Sequence, residues 1–222
     1  AGFPLCARCA VDVARNADWT LEGTPPQQIV RCRAHGRRHK PYVAPVVRTW
    51  QQESALLAEK SRQVLLSWVF SLVLLHRAMT TVACRIGLQS ETLTKTRELL
   101  NRQELAYRTL PLELQRFGPM SDAPKADARR VEDLIVFRHR DAEGRPVGES
   151  YIHALPCTPR AARSYTFTEY LMDECQHWER DEDFEESYIA ALATVKGGGR
   201  LTAISSVGRP ESYHYRLCRG LV

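Results

Sequence analysis

The chain has 222 residues, is 44% hydrophobic and carries a formal net charge of +5, enough apolar material for one large domain or two small ones with separate cores. Its longest apolar stretch, Val64 to Leu75, is interrupted by Ser67 and Ser71 and falls short of the roughly 20 residues a membrane-spanning helix needs, so it predicts a buried core helix and no membrane association. Seven cysteines without dense spacing exclude a secreted disulfide scaffold and favour reduced thiols with some metal ligation.

No secretory pattern opens the chain, so the expected location is a bacterial cytoplasm, in association with the nucleoid. Charge is unevenly spread. Residues 1–120 hold 17 Lys and Arg against 9 Asp and Glu, a net +8, whereas residues 121–222 hold 14 against 17, a net −3. A polyanion such as double-stranded DNA is drawn to the first part, because Lys and Arg contacts to phosphates supply most non-specific affinity.

Residues 1–45 are rich in Arg, Pro and Cys and lack helical periodicity, as a metal-held ribbon does. Cys6-x2-Cys9 and Cys32-x2-His35 are two short-spaced pairs of soft ligands. Converging from two tight turns they make the closed tetrahedral set of a structural zinc site, which would supply folding energy to a segment without a core. His39 is the alternative fourth ligand. Arg31, Arg33, Arg37, Arg38 and Lys40 cluster around the second pair and would hold the DNA backbone.

Residues 46–117 predict a helical domain. Apolar positions from Ala55 to Leu75 recur at three- and four-residue steps, giving one long helix over Thr49–Arg77. A second helix is expected over Thr80–Ile86 and a third from Ser90 toward Leu105. Between them Ala83 is small enough for a close crossing, Gly87 offers positive φ for a tight turn, and Ser90 can cap the next helix, the texture of a helix-turn-helix. Gln89, Ser90, Thr92, Lys95 and Arg97 would then meet the DNA groove. An ordinary helical hairpin with a solvated face is the plainer reading.

Cys6-x2-Cys9, Val13-Ala14-Arg15-Asn16 and Val30-Arg31-Cys32-Arg33-Ala34-His35-Gly36-Arg37-Arg38 together resemble the zinc ribbon that opens insertion-sequence transposases of the IS1 type. The resemblance covers about the first 105 residues and implies a helix-turn-helix after the ribbon. It departs from the family in His35, where a fourth Cys is usual, and in a longer insert between the pairs. The same resemblance implies a ribonuclease H-like domain next, with three carboxylates for two metals.

Residues 118–130 have the breaker chemistry of a linker, and residues 131–222 predict an α/β or α+β domain, a ribonuclease H-like fold in degenerate form being one version. Leu134–Phe137 and Tyr151–Leu155 predict a hairpin across the turn Asp141–Pro146; Thr168–Val195 predicts a helix; Leu201–Ser205 and Tyr213–Leu217 predict closing strands. Asp133 stands where the first carboxylate of the transposase triad would be, but no acid follows the strand at Leu201–Ser206. Cys157 with His153 and His139 is a weaker candidate for a thiol nucleophile. The acidic run Glu179–Glu186 after Trp178 is a solvated helix face or a patch for RNA polymerase.

The sequence thus predicts a multidomain α+β protein: a zinc-containing, sequence-specific, homodimeric or larger DNA-binding transcriptional regulator of mobile-element or phage type, without catalytic residues. The alternative is a truncated or inactivated transposase, a metal-dependent strand-transfer enzyme.

Overall fold

A computed structural model describes residues 19–22, 29–32, 42–61, 65–111 and 128–222, with the strands at 19–22, 29–32 and 128–131 described by backbone alone. The chain divides into two compact units, Ala1–Arg48 and Thr49–Val222. In the first, β1 (Trp19–Glu22) and β2 (Ile29–Cys32) form an antiparallel ladder pairing Trp19 with Cys32. Helix α1 (Val43–Gln52) runs across the division.

The second unit is one α/β domain on a seven-stranded sheet of order β3-β9-β8-β4-β7-β6-β5. Its strands are β3 (Ala55–Lys60), β4 (Arg85–Gln89), β5 (Ala128–Val131), β6 (Leu134–Arg140), β7 (Pro146–Ala154), β8 (Glu169–Met172) and β9 (Arg200–Ser206). Strands β3, β9, β8, β4 and β7 are parallel neighbours, while β7, β6 and β5 are antiparallel. Helices α2 (Leu66–Thr80), α3 (Leu93–Arg108), α4 (Pro159–Arg163), α5 (Asp181–Val195) and α6 (Tyr213–Cys218) complete it. None of the helices among the described residues is long and apolar enough to cross a membrane.

This architecture corrects the expectation of a helical helix-turn-helix bundle followed by a separate domain. The long helix expected over Thr49–Arg77 is instead α1, strand β3 and α2. Ala55-Leu56-Leu57-Ala58 is an apolar run that suits a buried parallel strand as well as a helix, and periodicity alone does not separate the two. The segment expected to be the turn of a helix-turn-helix is strand β4, flanked by β8 and β7. Ala83, not Gly87, adopts positive φ, at 59°. Gly87 is required for a different reason: a Cβ there would lie 2.7 Å from the Tyr170 ring. Gly87→Ala should therefore cost about 1–3 kcal/mol through overpacking, measured as a lower denaturant midpoint at unchanged slope.

The predicted hairpin is present as β6 and β7, turned by Asp141, whose Oδ1 accepts from the amides of Glu143 and Arg145. The expected helix over Thr168–Val195 is two elements, because Tyr170-Leu171-Met172 is fully buried as central strand β8 and helix begins only at Asp181. Tyr213–Cys218 is a helix capped by Ser212, whose hydroxyl accepts from the Tyr215 amide. Between α5 and the sheet, Trp178, Phe184, Tyr188 and Tyr213 interlock, with Trp178 and Phe184 edge to face at 5.6 Å.

Candidate functional site at the carboxyl edge of the sheet

Strands β3 and β4 follow one another in the chain but are separated in the sheet by β9 and β8. Such a reversal of strand order leaves a crevice outside the carboxyl ends of the parallel strands, where α/β domains bind ligands. Here the crevice is a cavity of about 330 Å³ lined by residues that include Ser67, Lys95, Arg102, Asp173, Glu174 and Ser206.

Its first wall is the passage from β3 into α2. Lys60 ends β3, Leu65 precedes the helix with left-handed φ of 58°, and Leu66 and Ser67 open the helix. Phosphate-binding loops place Gly-x4-Gly-Lys-Ser/Thr between a strand and a helix, so that backbone amides and a lysine cradle phosphates and the hydroxyl reaches Mg²⁺. At this spacing the chain has Lys60-x4-Leu65-Leu66-Ser67. The hydroxyl is retained, both glycines and the lysine are replaced, and Leu65 keeps the left-handed backbone that glycine adopts freely.

The second wall is the end of β8. Four buried residues, Glu169 to Met172, deliver Asp173 and Glu174 to the edge. Ser67 Oγ donates to Asp173 Oδ1 at 3.1 Å, joining the two walls. Asp173 is 4% exposed. Burial raises its carboxyl above the ordinary range, the neighbouring Glu174 charge adds to this, and Lys60 and the Ser67 hydrogen bond oppose it. Glu174, at φ 51°, is held from three sides: Lys60 Nζ donates to Oε1 at 2.7 Å, and Ser206 donates to Oε2 from Oγ at 2.6 Å and from its amide at 3.1 Å. His177 Nε2 lies 2.9 Å from Ser206 Oγ.

Burial alone would raise the Glu174 carboxyl, but the Lys60 and Ser206 hydrogen bonds outweigh it and bring it down to about 2. Relative to an ordinary value of 4.5 this corresponds to roughly 3 kcal/mol of stability. Because the folded value is depressed, that contribution is present above pH 4.5 and is lost as pH falls through about 2. Glu174→Gln should be less stable at neutral pH and show a shallower loss across that acid window in denaturant titrations at stepped pH.

Ser67 with Asp173 offers hard oxygen donors suited to Mg²⁺, an ion that keeps waters and takes one or two carboxylates plus substrate phosphates rather than a full protein cage. Accordingly, no cluster of three His, Cys, Asp or Glu positioned to hold a metal occurs among the described residues.

The residues expected to read DNA are distributed otherwise. Gln89 is fully buried at the end of β4, its Nε2 donating to the carbonyls of Pro156 and Thr158. Ser90 is also buried, and the cap of α3 is Thr92, whose hydroxyl accepts from the Lys95 amide. Lys95 faces the cavity and pairs with Glu98 at 3.3 Å. Arg97 makes a two-pronged contact with Asp133, its Nη2 2.9 Å from Oδ2, so the acid once matched to a transposase triad is an ion-pair partner. No recognition helix is formed, and the helix-turn-helix reading is withdrawn.

Of the zinc candidates, Cys6, Cys9, His35 and the alternative His39 lie outside the described residues, as do Arg33, Arg37, Arg38 and Lys40; Arg31 and Cys32 fall in β2, described by backbone only. The suggested thiol group does not assemble. Cys157 Sγ donates to the Glu91 carbonyl and is raised by burial, whereas His139 is buried against Ser150 and His153 packs edge to face on Tyr165. The acidic run is the first turns of α5, anchored by buried Phe184.

The acids that matter here, Asp173 and Glu174, were absent from the sequence reading. Their signal was Tyr170-Leu171-Met172 closing on two carboxylates, the mark of a buried strand ending at an edge. It was masked by the helix formers that follow.

No protein-family model matches the chain, and no curated protein is significantly similar to it. Solved structures are. The ATPase domain of the large terminase of Thermus phage P74-26 is 15% identical with a TM-score of 0.56, over 70% of this chain and 61% of that one. The large terminase of bacteriophage HK97 is 14% identical with a TM-score of 0.55, over 80% and 35%. The large terminase of a thermophilic bacteriophage, solved in complex with ADP, is 14% identical with a TM-score of 0.53, over 79% and 40%. This chain therefore spans about three fifths of the first and less than half of the other two. The likeness replaces the transposase resemblance, the regulator reading and the expectation of a non-catalytic or strand-transfer protein: residues of the second unit have the α/β fold of a terminase ATPase domain.

Proposed function

We propose that this chain binds a nucleoside triphosphate with Mg²⁺ in the crevice between α2 and the end of β8 and acts as an ATPase domain of the large-terminase type. The observation that carries the reading is the 3.1 Å hydrogen bond from Ser67 to Asp173, which joins the first turn of a strand-loop-helix unit to an acidic pair at the end of a neighbouring parallel strand. Two of the similar terminases were solved with nucleotide, one with ADP and one with ATP-γ-S.

In this reading Ser67 and Asp173 hold Mg²⁺, whose charge offsets that developing on the phosphates. The N-terminus of α2 directs free amides and its positive dipole end at the phosphate chain. Glu174 is the carboxylate placed to orient the attacking water and take its proton, once the Lys60 and Ser206 contacts release it. The net +8 of residues 1–120 supports double-stranded DNA as the polymer on which such a domain works.

The test is equilibrium binding of ATP-γ-S to the full chain by titration calorimetry, with Mg²⁺ and with excess chelator. Saturable binding that weakens on chelation is expected. A folded chain that takes up no nucleotide at millimolar concentration would overturn the proposal.

A further inference from the structure

The site just described lacks the lysine that phosphate-binding loops place before the Ser/Thr, since Leu66 stands there and presents no charge. A triphosphate beside Asp173 and Glu174 brings several negative charges to a partly buried crevice, and a helix N-terminus offsets only about half a charge. A compensating cation is needed, and the structure shows where one lies.

Resting on the nucleotide reading, we infer that Lys60 is the phosphate-binding lysine of this site, relocated from the helix to the end of β3. Lys60 occupies the position of the first glycine in the loop spacing, six residues before Leu66. Its side chain is 8% exposed and ends 2.7 Å from Glu174 Oε1, while its charge is also felt at Asp173. Among the described residues it is the lysine in direct contact with the acidic pair. Lys95 and Arg102 also line the cavity, but on α3, where they pair with Glu98 at 3.3 and 4.0 Å; Arg102 also lies over the Trp68 ring.

The same contact gives the lysine a second consequence. With the site empty, Lys60 neutralises Glu174 and holds it low in pKa, a poor proton acceptor. When phosphate oxygens draw the ammonium away, Glu174 loses its strongest hydrogen-bond donor and becomes a better base. Binding of the triphosphate and arming of the carboxylate are then one exchange of partners at Lys60 Nζ.

The test titrates Mg²⁺ with ATP-γ-S against four full-length proteins: wild type, Lys60→Met, Lys60→Met with Leu66→Lys, and Lys60→Met with Glu174→Gln measured against Glu174→Gln alone. Lys60→Met should weaken binding at least tenfold, and Leu66→Lys in that background should recover most of the loss, because it restores a cation at the usual loop position. The Glu174→Gln pair guards against misfolding: no charged partner is left stranded there, so a tenfold loss on adding Lys60→Met reports phosphate binding. Wild-type binding that is unchanged by Lys60→Met in either background would overturn the relocation while leaving the nucleotide site intact. Absence of binding by folded wild type would remove the nucleotide reading itself, and the relocation with it.

Discussion

Replacing Asp173 with alanine should lower the Mg²⁺-dependent affinity for ATP-γ-S by about 10- to 100-fold, consistent with the roughly 1.5–3 kcal/mol carried by a hydrogen bond to a charged group. Asp173 is buried and shares Ser67 as partner, so the variant removes both a carboxylate for the ion and the anchor of the Ser67 hydroxyl. Binding measured with chelator should change little, because the α2 amides and Lys60 act on phosphate without the metal. The effect on stability should be small or favourable at neutral pH. Burial raises the Asp173 carboxyl, so its ionised form is disfavoured in the folded state. A loss of affinity equal in the presence and absence of Mg²⁺ would show that Asp173 acts on folding or shape and not on the ion.

Phe184→Ala should cost about 3–5 kcal/mol, a large share of the roughly 5–15 kcal/mol that holds a domain folded. Phe184 is fully buried and its ring meets Trp178 at 5.6 Å, Tyr188 at 6.0 Å and His214 at 5.9 Å. Truncation leaves a cavity that three rigid rings cannot close. By contrast Glu182→Ala, on the solvated side of the same turn, should lie within about 0.5 kcal/mol of wild type. If the segment were an acidic docking patch rather than the base of a core helix, the two variants would have similar small effects on thermal unfolding.

Some of this fold was legible in the sequence. The hairpin β6–β7 was marked by β-branched strands on either side of an Asp-Gly turn, and α3 by its capped, evenly spaced apolar face. What failed was the sorting of buried strands from helices. Ala55–Lys60 and Glu169–Met172 each run straight into helix-forming sequence, so a helical period absorbs them, and only the ladder with β9 shows that both are strands. The short Ala83–Gly87 step looked like a turn because small residues serve two purposes. Here Gly87 makes room for Tyr170 and Ala83 carries the positive φ.

The site was hidden for a different reason. A phosphate-binding loop is recognised by its glycines and lysine, and at their positions the chain has Lys60, Leu65 and Leu66. What remains is a serine and an acidic pair 106 residues apart for Ser67 and Asp173, a separation no local pattern can bridge. Parallel strands bring them together because the chain crosses from β3 to β4 and returns to fill the gap with β8 and β9.

The most direct test of this account is hydrogen exchange by mass spectrometry on the full chain, with and without Mg²⁺ and ATP-γ-S. The account predicts that protection on nucleotide binding concentrates in two peptides distant in sequence, the first turns of α2 from Ser67 and the segment Asp173–His177, with smaller changes at Ser206. Protection confined to other parts of the sheet or to β6 and β7, with these segments unchanged, would contradict it.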